Sequence, residues 1–312
     1  MKSFPRLPWA VGSALIALAA GWTLFGQEGQ EPRGEGRGPE TAPRGDAAGP
    51  ESTPGDDPGA SPASDAGARL LQQARDNLIN KPLEASLAED ILIGRGRFKA
   101  TGRYVQGPNL KLRLEFTVKV GKTEGTLLEV CDGQILWTHQ KIGERPRITR
   151  RDVREILDAA SQAGHIDDNL ITAELGLGGL PALLASIERN MVLEAPREET
   201  IDGQTVHVIE GGWTEEFLKR YSATGEAPQE LPGNVPERVQ IYLDGELYPR
   251  RIVYRKKVPG RDFDVPLLTL DIKDIRVNAP VSDREFVFEP ERGVFVEDIT
   301  RQYTERLRAP AQ

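Results

Sequence analysis

Leu110 to Val120 alternates without a break: Leu110-Lys111-Leu112-Arg113-Leu114-Glu115-Phe116-Thr117-Val118-Lys119-Val120. Successive side chains on a strand point to opposite faces, so this stretch puts its apolar groups on one face and its polar groups on the other. A helix would scatter both sets around its circumference. The chain therefore contains a sheet with one wet face and one apolar face, and the apolar face has to be covered.

The neighbouring sequence extends that sheet. Strands are predicted over Ile91–Gln106, Leu110–Val120, Gly125–Cys131 and Gln134–Lys141. Gly107-Pro108-Asn109, Gly121-Lys122 and Asp132-Gly133 separate them, the last being a dipeptide favoured in tight hairpins. Short connections between neighbouring strands make an antiparallel meander. A second set is predicted over Met191–Ala195, Thr205–Gly211, Glu237–Leu243, Tyr248–Lys257 and Leu267–Val277, with hairpin signals at Ile201-Asp202-Gly203 and Asp244-Gly245.

Helices precede, separate and follow these sets. Ala68–Asn80 carries Leu70, Leu71, Ala74, Leu78 and Ile79 at helical spacing. Thr149–Ala163 has a stripe of Val153, Ile156, Leu157 and Ala160, and Gly179–Asn190 supplies Leu180, Leu183, Leu184 and Ile187. Leu170–Leu177 reads as a short apolar helix or flap. A short helix is predicted within Trp213–Tyr221, and a charged one over Asp298–Leu307. The order helix, strands, helices, strands lacks regular βαβ alternation. It gives a mainly β, α+β fold: one curved antiparallel sheet with helices gathered on one face.

The N-terminal part does something else. Lys2 and Arg6 precede Leu7–Gly26, twenty residues without a charge, long enough at helical rise to cross a bilayer core. The positive flank places the following chain outside the cytoplasm. Ala17-Leu18-Ala19 is a small-x-small site for a signal peptidase, whereas the apolar run through Trp22, Leu24 and Phe25 favours a retained anchor. Residues 27–67 have no large apolar side chain, and carry nine acidic against three basic residues. Such a segment is expected to be a disordered linker, because burial cannot offset its ordering entropy. The folded domain is then 68–312.

Few chemistries are encoded. The formal net charge is −8, and no basic domain remains, which argues against nucleic acid as a partner. The only cysteine is Cys131, so there is no internal disulfide, and it reads as a small buried hydrophobe. His139, His165 and His207 lack companions at metal-ligand spacing; no HExxH and no G-x-S-x-G elbow is present. Gly176-Leu177-Gly178-Gly179 lacks the Lys-Ser/Thr ending of a phosphate loop and reads as a hinge. The expectation is a non-enzymatic protein with no cofactor, no metal and no catalytic residue. Two basic groups, Arg95, Arg97, Lys99 and Arg103 in one and Arg250, Arg251, Arg255, Lys256 and Lys257 in the other, read as solvated strand faces; contact with anionic lipid headgroups is the weaker alternative.

The order of parts resembles the LolA/LolB-like family of periplasmic lipoprotein carriers over most of Ala68–Thr300. The resemblance rests on Val130-Cys131-Asp132-Gly133-Gln134-Ile135-Leu136-Trp137, similar to the family's hairpin, and on Arg147-Ile148-Thr149 after it. It also rests on Ile201-Asp202-Gly203-Gln204-Thr205-Val206-His207-Val208, Tyr248-Pro249-Arg250-Arg251-Ile252, and the ending from Phe286-Val287-Phe288-Glu289-Pro290 to Val296-Glu297-Asp298. The resemblance implies an open half-barrel with helices as a lid over an apolar cavity for lipid or lipoprotein acyl chains. Leu110, Leu112, Leu114, Phe116, Val118 and Val120 would face inward, with Leu136 or Trp137 opposite. Leu170–Leu177 and Gly179–Ile187, with Leu180, Leu183 and Leu184, would form the lid. Arg97 and Arg103 are the candidates for the arginine that locks the family's lid.

Two functions follow. One is a carrier or chaperone for acyl chains on the periplasmic side of the inner membrane, anchored or secreted. It needs no chemistry, since each buried CH₂ contributes about 0.8 kcal/mol. The other is an envelope sensor or scaffold of the same fold that binds a membrane protein partner.

Overall fold

The structure, a computed structural model, describes residues 62–79, 81–93, 96–120, 123–143, 145–162, 179–201, 203–222, 225–228, 230–258 and 260–308. The expectations for Leu7–Gly26, most of 27–67, His165 and Leu170–Leu177 lie outside these residues. No described helix is long and apolar enough to cross a membrane.

Helix α1 (Pro62–Leu78) opens the fold, beginning inside the segment expected to be linker. A six-stranded antiparallel meander follows as β1 (Leu83–Ile93), β2 (Gly96–Gln106), β3 (Lys111–Val120), β4 (Thr123–Asp132), β5 (Ile135–Ile142) and β6 (Arg145–Asp152). Next come helices α2 (Val153–Gln162) and α3 (Gly179–Asn190). The second set is β7 (Met191–Leu193), β8 (Arg197–Ile201), β9 (Gln204–Trp213), helix α4 (Glu215–Tyr221), β10 (Arg238–Leu243), β11 (Pro249–Lys257) and β12 (Asp264–Val277). A 3-10 turn (Asp283–Phe286), β13 (Val296–Asp298) and helix α5 (Thr300–Arg308) end it.

All strands join one sheet in the order β13-β6-β5-β4-β3-β2-β1-β12-β11-β10-β9-β7, with β8 also on β9. Neighbours are antiparallel except β13 and β6. The ends of this order do not pair with each other, so the sheet is an open half-barrel, as expected. Alternation along each strand sorts the side chains. Leu112, Leu114, Phe116 and Val118 of β3 join Leu127 and Cys131 of β4, Leu87 and Ile91 of β1, and Leu268, Leu270 and Ile272 of β12 in one core.

Three expectations are corrected. The strand expected over Ile91–Gln106 is two strands, because the chain turns after Ile93. Thr149–Asp152 is not the start of a helix; it completes β6, whose Ile148 is buried while Arg147 and Arg150 face acids on β13. Leu110 is not part of a strand. With Asn109 it forms the centre of the β2–β3 turn, both at positive φ (59° and 63°), the geometry of a type I′ hairpin.

The apolar face is covered from two sides. On α1 the buried stripe is Leu71, Ala74 and Leu78. In α3 nine of twelve residues are buried, as expected of a helix apolar on nearly every side. The two helices pack together and are bridged by Arg75 and Glu188 at 2.6 Å. Toward the β13 end, α2 packs against α5.

Candidate functional site

The face expected to hold acyl chains is closed by the protein's own side chains. Leu136, Leu180 and Leu184 are 0% exposed, and Leu112, Leu114, Phe116 and Leu183 are 2% exposed. A hollow wide enough for water beside these groups would leave accessible area on them. Their burial therefore means that protein atoms fill the concave side here, as in an ordinary close-packed core. Val118 is equally buried, and Leu110 packs at the margin from its turn. Trp137 is corrected. It follows Leu136 on β5, so it lies on the opposite face, where its ring meets Phe288 at 5.5 Å.

A chain of hydrogen bonds fixes the cover. The Leu180 backbone N–H donates to the Tyr104 hydroxyl (3.0 Å), which donates to the Gln106 side-chain oxygen. The Gln106 amide then donates to the Leu78 carbonyl at 2.7 Å. The start of α3, strand β2 and the end of α1 are thus tied by groups that are themselves buried. Gly179 sits at φ +60°, and a Cβ there would lie 2.0 Å from the Tyr104 oxygen, so only glycine admits this approach.

Two acids interrupt the apolar face. Glu129 of β4 accepts from Thr138 at 3.1 Å and lies 3.6 Å from Arg151, whose guanidinium also stands over the Tyr303 ring of α5. Burial pushes the Glu129 carboxyl above its ordinary range, with Arg151 and Thr138 acting against it. Glu89 of β1 is 2% exposed, and neither of its oxygens has a hydrogen-bond partner. Sequence reading missed both, because an acid in an alternating strand normally marks the solvated face.

The lid-locking arginine is corrected as well. Arg97 pairs with Asp90, and Arg103 with Glu84 (2.8 Å) and Glu285 (2.9 Å); all lie on the face away from the core. The second basic group is mostly neutralised. Arg250 meets Asp244 at 2.7 Å, Arg251 meets Asp271, and Lys256 turns to the other face and meets Glu237.

The outer face carries an open cleft of about 630 Å³ over β8 to β12. Glu210 anchors its floor, receiving Arg197 (2.6 Å), Arg238 (2.8 Å) and Gln240 (2.9 Å). Partial burial raises the Glu210 pKa, but Gln240 and the two arginines outweigh it and hold the carboxylate below its ordinary range. Arg255 donates to the Asp264 carbonyl and to Gln240. Tyr242 and the half-exposed Phe263 give the cleft an aromatic rim. Among the described residues no group of three His, Cys, Asp or Glu is placed to hold a metal ion.

No family model matches the chain, and no curated protein matches it. Solved structures do resemble it. LprF from Mycobacterium bovis is 12% identical over 70% of this chain and 96% of that one, with a TM-score of 0.36. A LolA superfamily protein from Nitrosomonas europaea is 12% identical over 72% and 98%, at 0.29. The Pseudomonas aeruginosa MucA/MucB complex is 12% identical over 71% of this chain and 61% of that one, at 0.33. Overlaps of this quality carry no functional argument; the site has to be read from its own geometry.

Proposed function

We propose that this chain is an exported, non-enzymatic binding domain on a LolA-like half-barrel that engages a protein partner in the cell envelope through its outer face. The observation that carries this reading is the closure of the concave side: the side chains suited to line an acyl cavity are spent on the protein's own core. The outer cleft supports it, with arginines, acids and an aromatic rim that suit a polypeptide better than a hydrocarbon chain. The N-terminal apolar segment would anchor or export the domain on the periplasmic side of the inner membrane.

Carriage of acyl chains is the second reading, favoured by one observation. Glu89 leaves a carboxyl unpaired in the floor of the half-barrel, which a permanently closed core has no need of. A photo-crosslinking phenylalanine analogue at Phe263, in the full chain in its own membrane, tests both. A defined protein adduct, with no lipid in native mass spectra of the purified domain, supports the partner reading. Stoichiometric bound lipid, or uptake of a fluorescent fatty acid without any adduct, overturns it in favour of the carrier.

A further inference from the structure

On the core face of β1 the residues are Leu83, Ala85, Leu87, Glu89 and Ile91, so one acid interrupts an apolar row. Its cross-strand neighbours are Ala100 on β2 and Leu270 on β12. The next strands place Val118 and Ile252 beside those. Among the described residues, the ionisable groups on the same face are committed elsewhere. The Tyr104 hydroxyl serves Leu180 and Gln106, and the Lys256 ammonium serves Glu237 and the Leu231 carbonyl. Arg75 and Glu188 face each other between α1 and α3, Glu129 has Arg151, and the Tyr254 hydroxyl forms no pair with Glu89. The core faces of β3 and β12 bring no charge to it. Glu129 shows what this fold does to keep an acid inside: it supplies a hydroxyl and a guanidinium. Glu89 receives neither, so its seat suits the uncharged acid and not the carboxylate.

We propose that Glu89 is a proton-operated latch on the concave face: protonated, it lies in its apolar seat and the face stays shut; ionised, it must reach water, and the β1–β2 end of the face opens. This holds whichever ligand the domain takes. Burial pushes the closed-state pKa from the ordinary 4.5 to about 8. Across that window the closed form holds a proton that the open form has lost. The open-to-closed ratio therefore rises about tenfold per pH unit from 4.5 to about 8, then levels off. Acid locks the face, and mildly alkaline solution releases it. What opens is the apolar row of Leu87, Ile91, Ala100, Val118 and Leu270.

Thiol labelling of two single-cysteine chains tests this. One carries C131S and V118C, placing the thiol on the strand row that holds Ala100 and Glu89. The other keeps the natural Cys131, buried on the same face about 20 Å along the strands. Each is compared with its E89Q counterpart at every pH, which cancels the thiol's own ionisation. The expected result is a labelling ratio at position 118 that climbs toward tenfold per pH unit and flattens near pH 8, with a flat ratio at Cys131. A flat ratio at position 118 overturns the latch. So does an equal rise at both thiols, which would be whole-domain destabilisation. E89L replaces E89Q should the latter not fold. Independently of any variant, the infrared spectrum of the native chain must show a protonated carboxyl band at pH 7 that is lost on alkaline titration; its absence also overturns the proposal.

Discussion

The Leu180 N–H and the Tyr104 hydroxyl are 3.0 Å apart, and through that contact the first turn of α3 is held to strand β2. A helix start has backbone N–H groups without intrahelical partners, and here one is met by a tyrosine rather than by water or a cap residue. The same oxygen reaches Gln106, so the contact also locates the end of α1. Tyr104→Phe strands the Leu180 donor and the Gln106 acceptor in a buried place. The expected loss is about 1–3 kcal/mol in urea unfolding with the slope unchanged. A loss within experimental error would show that the clamp contributes nothing.

Gly179→Ala acts on the same contact from the other partner. The left-handed backbone alone costs about 1–2 kcal/mol for an alanine. The added methyl also collides with the Tyr104 ring and oxygen. The combined loss should exceed that of Tyr104→Phe, and it should shrink in a Tyr104→Phe background, where the nearest colliding atom is gone. Thermal or urea unfolding of the two single variants and the double variant reads this coupling.

Arg151→Met leaves Glu129 buried without its cation, for an expected loss of about 3–5 kcal/mol. The Glu129 pKa is already raised by burial, and loss of Arg151 raises it further. A raised folded-state pKa gives stability that is present in acid and lost as pH rises. The deficit of Arg151→Met should therefore be larger at pH 8 than at pH 5. Glu129→Leu combined with Arg151→Met should recover much of the loss, because both buried charges are gone and only the buried Thr138 hydroxyl loses its partners.

The two neighbours Leu136 and Trp137 should part company under mutation. Leu136→Ala opens a space in a fully buried site, at about 2–5 kcal/mol. Phe288→Ala removes a half-buried ring against Trp137 on the outer face, where the aromatic pair contributes about 0.5–1.5 kcal/mol beyond the area it buries and no sealed cavity is left, so the loss should be the smaller of the two. Denaturation measures both losses. Comparable losses would contradict the assignment of these side chains to opposite faces.

Much of the fold was legible because its strands alternate. The Leu112-to-Val118 alternation needs no tertiary help, and the glycine-marked turns at Asp132-Gly133 and Asp244-Gly245 mark two further hairpins, β4–β5 and β10–β11. The Asp132 carboxylate accepts the Gln134 and Ile135 N–H groups at 2.7 and 2.8 Å, which is why that turn could be read locally. The first strand was not legible, and Glu89 is the reason. An acid at the fourth core position hides the alternation of Leu83, Ala85 and Leu87, and alanines and acids are weak strand formers. β6 was hidden by its four arginines; Arg147 and Arg150 find their partners, Glu297 and Asp298, about 150 positions away in the chain. The closure of the concave side depends on how α1 and α3 pack, which no periodicity states. A local rule broken at Glu89 coincides with the position that carries the latch, which is where such breaks are expected.

The placement of β1 between β2 and β12 has a consequence for how the domain assembles. β1 to β6 form one run of local hairpins and β7 to β12 another, and the two meet along a single seam where Leu87 faces Ile272. Every other neighbouring pair on the main path except β6 with β13 can zip soon after it is made, whereas this one waits for nearly the whole domain and bears the entropy of a long loop. Until then each half offers a bare, hydrogen-bond-hungry margin, a hazard for any chain that emerges N terminus first.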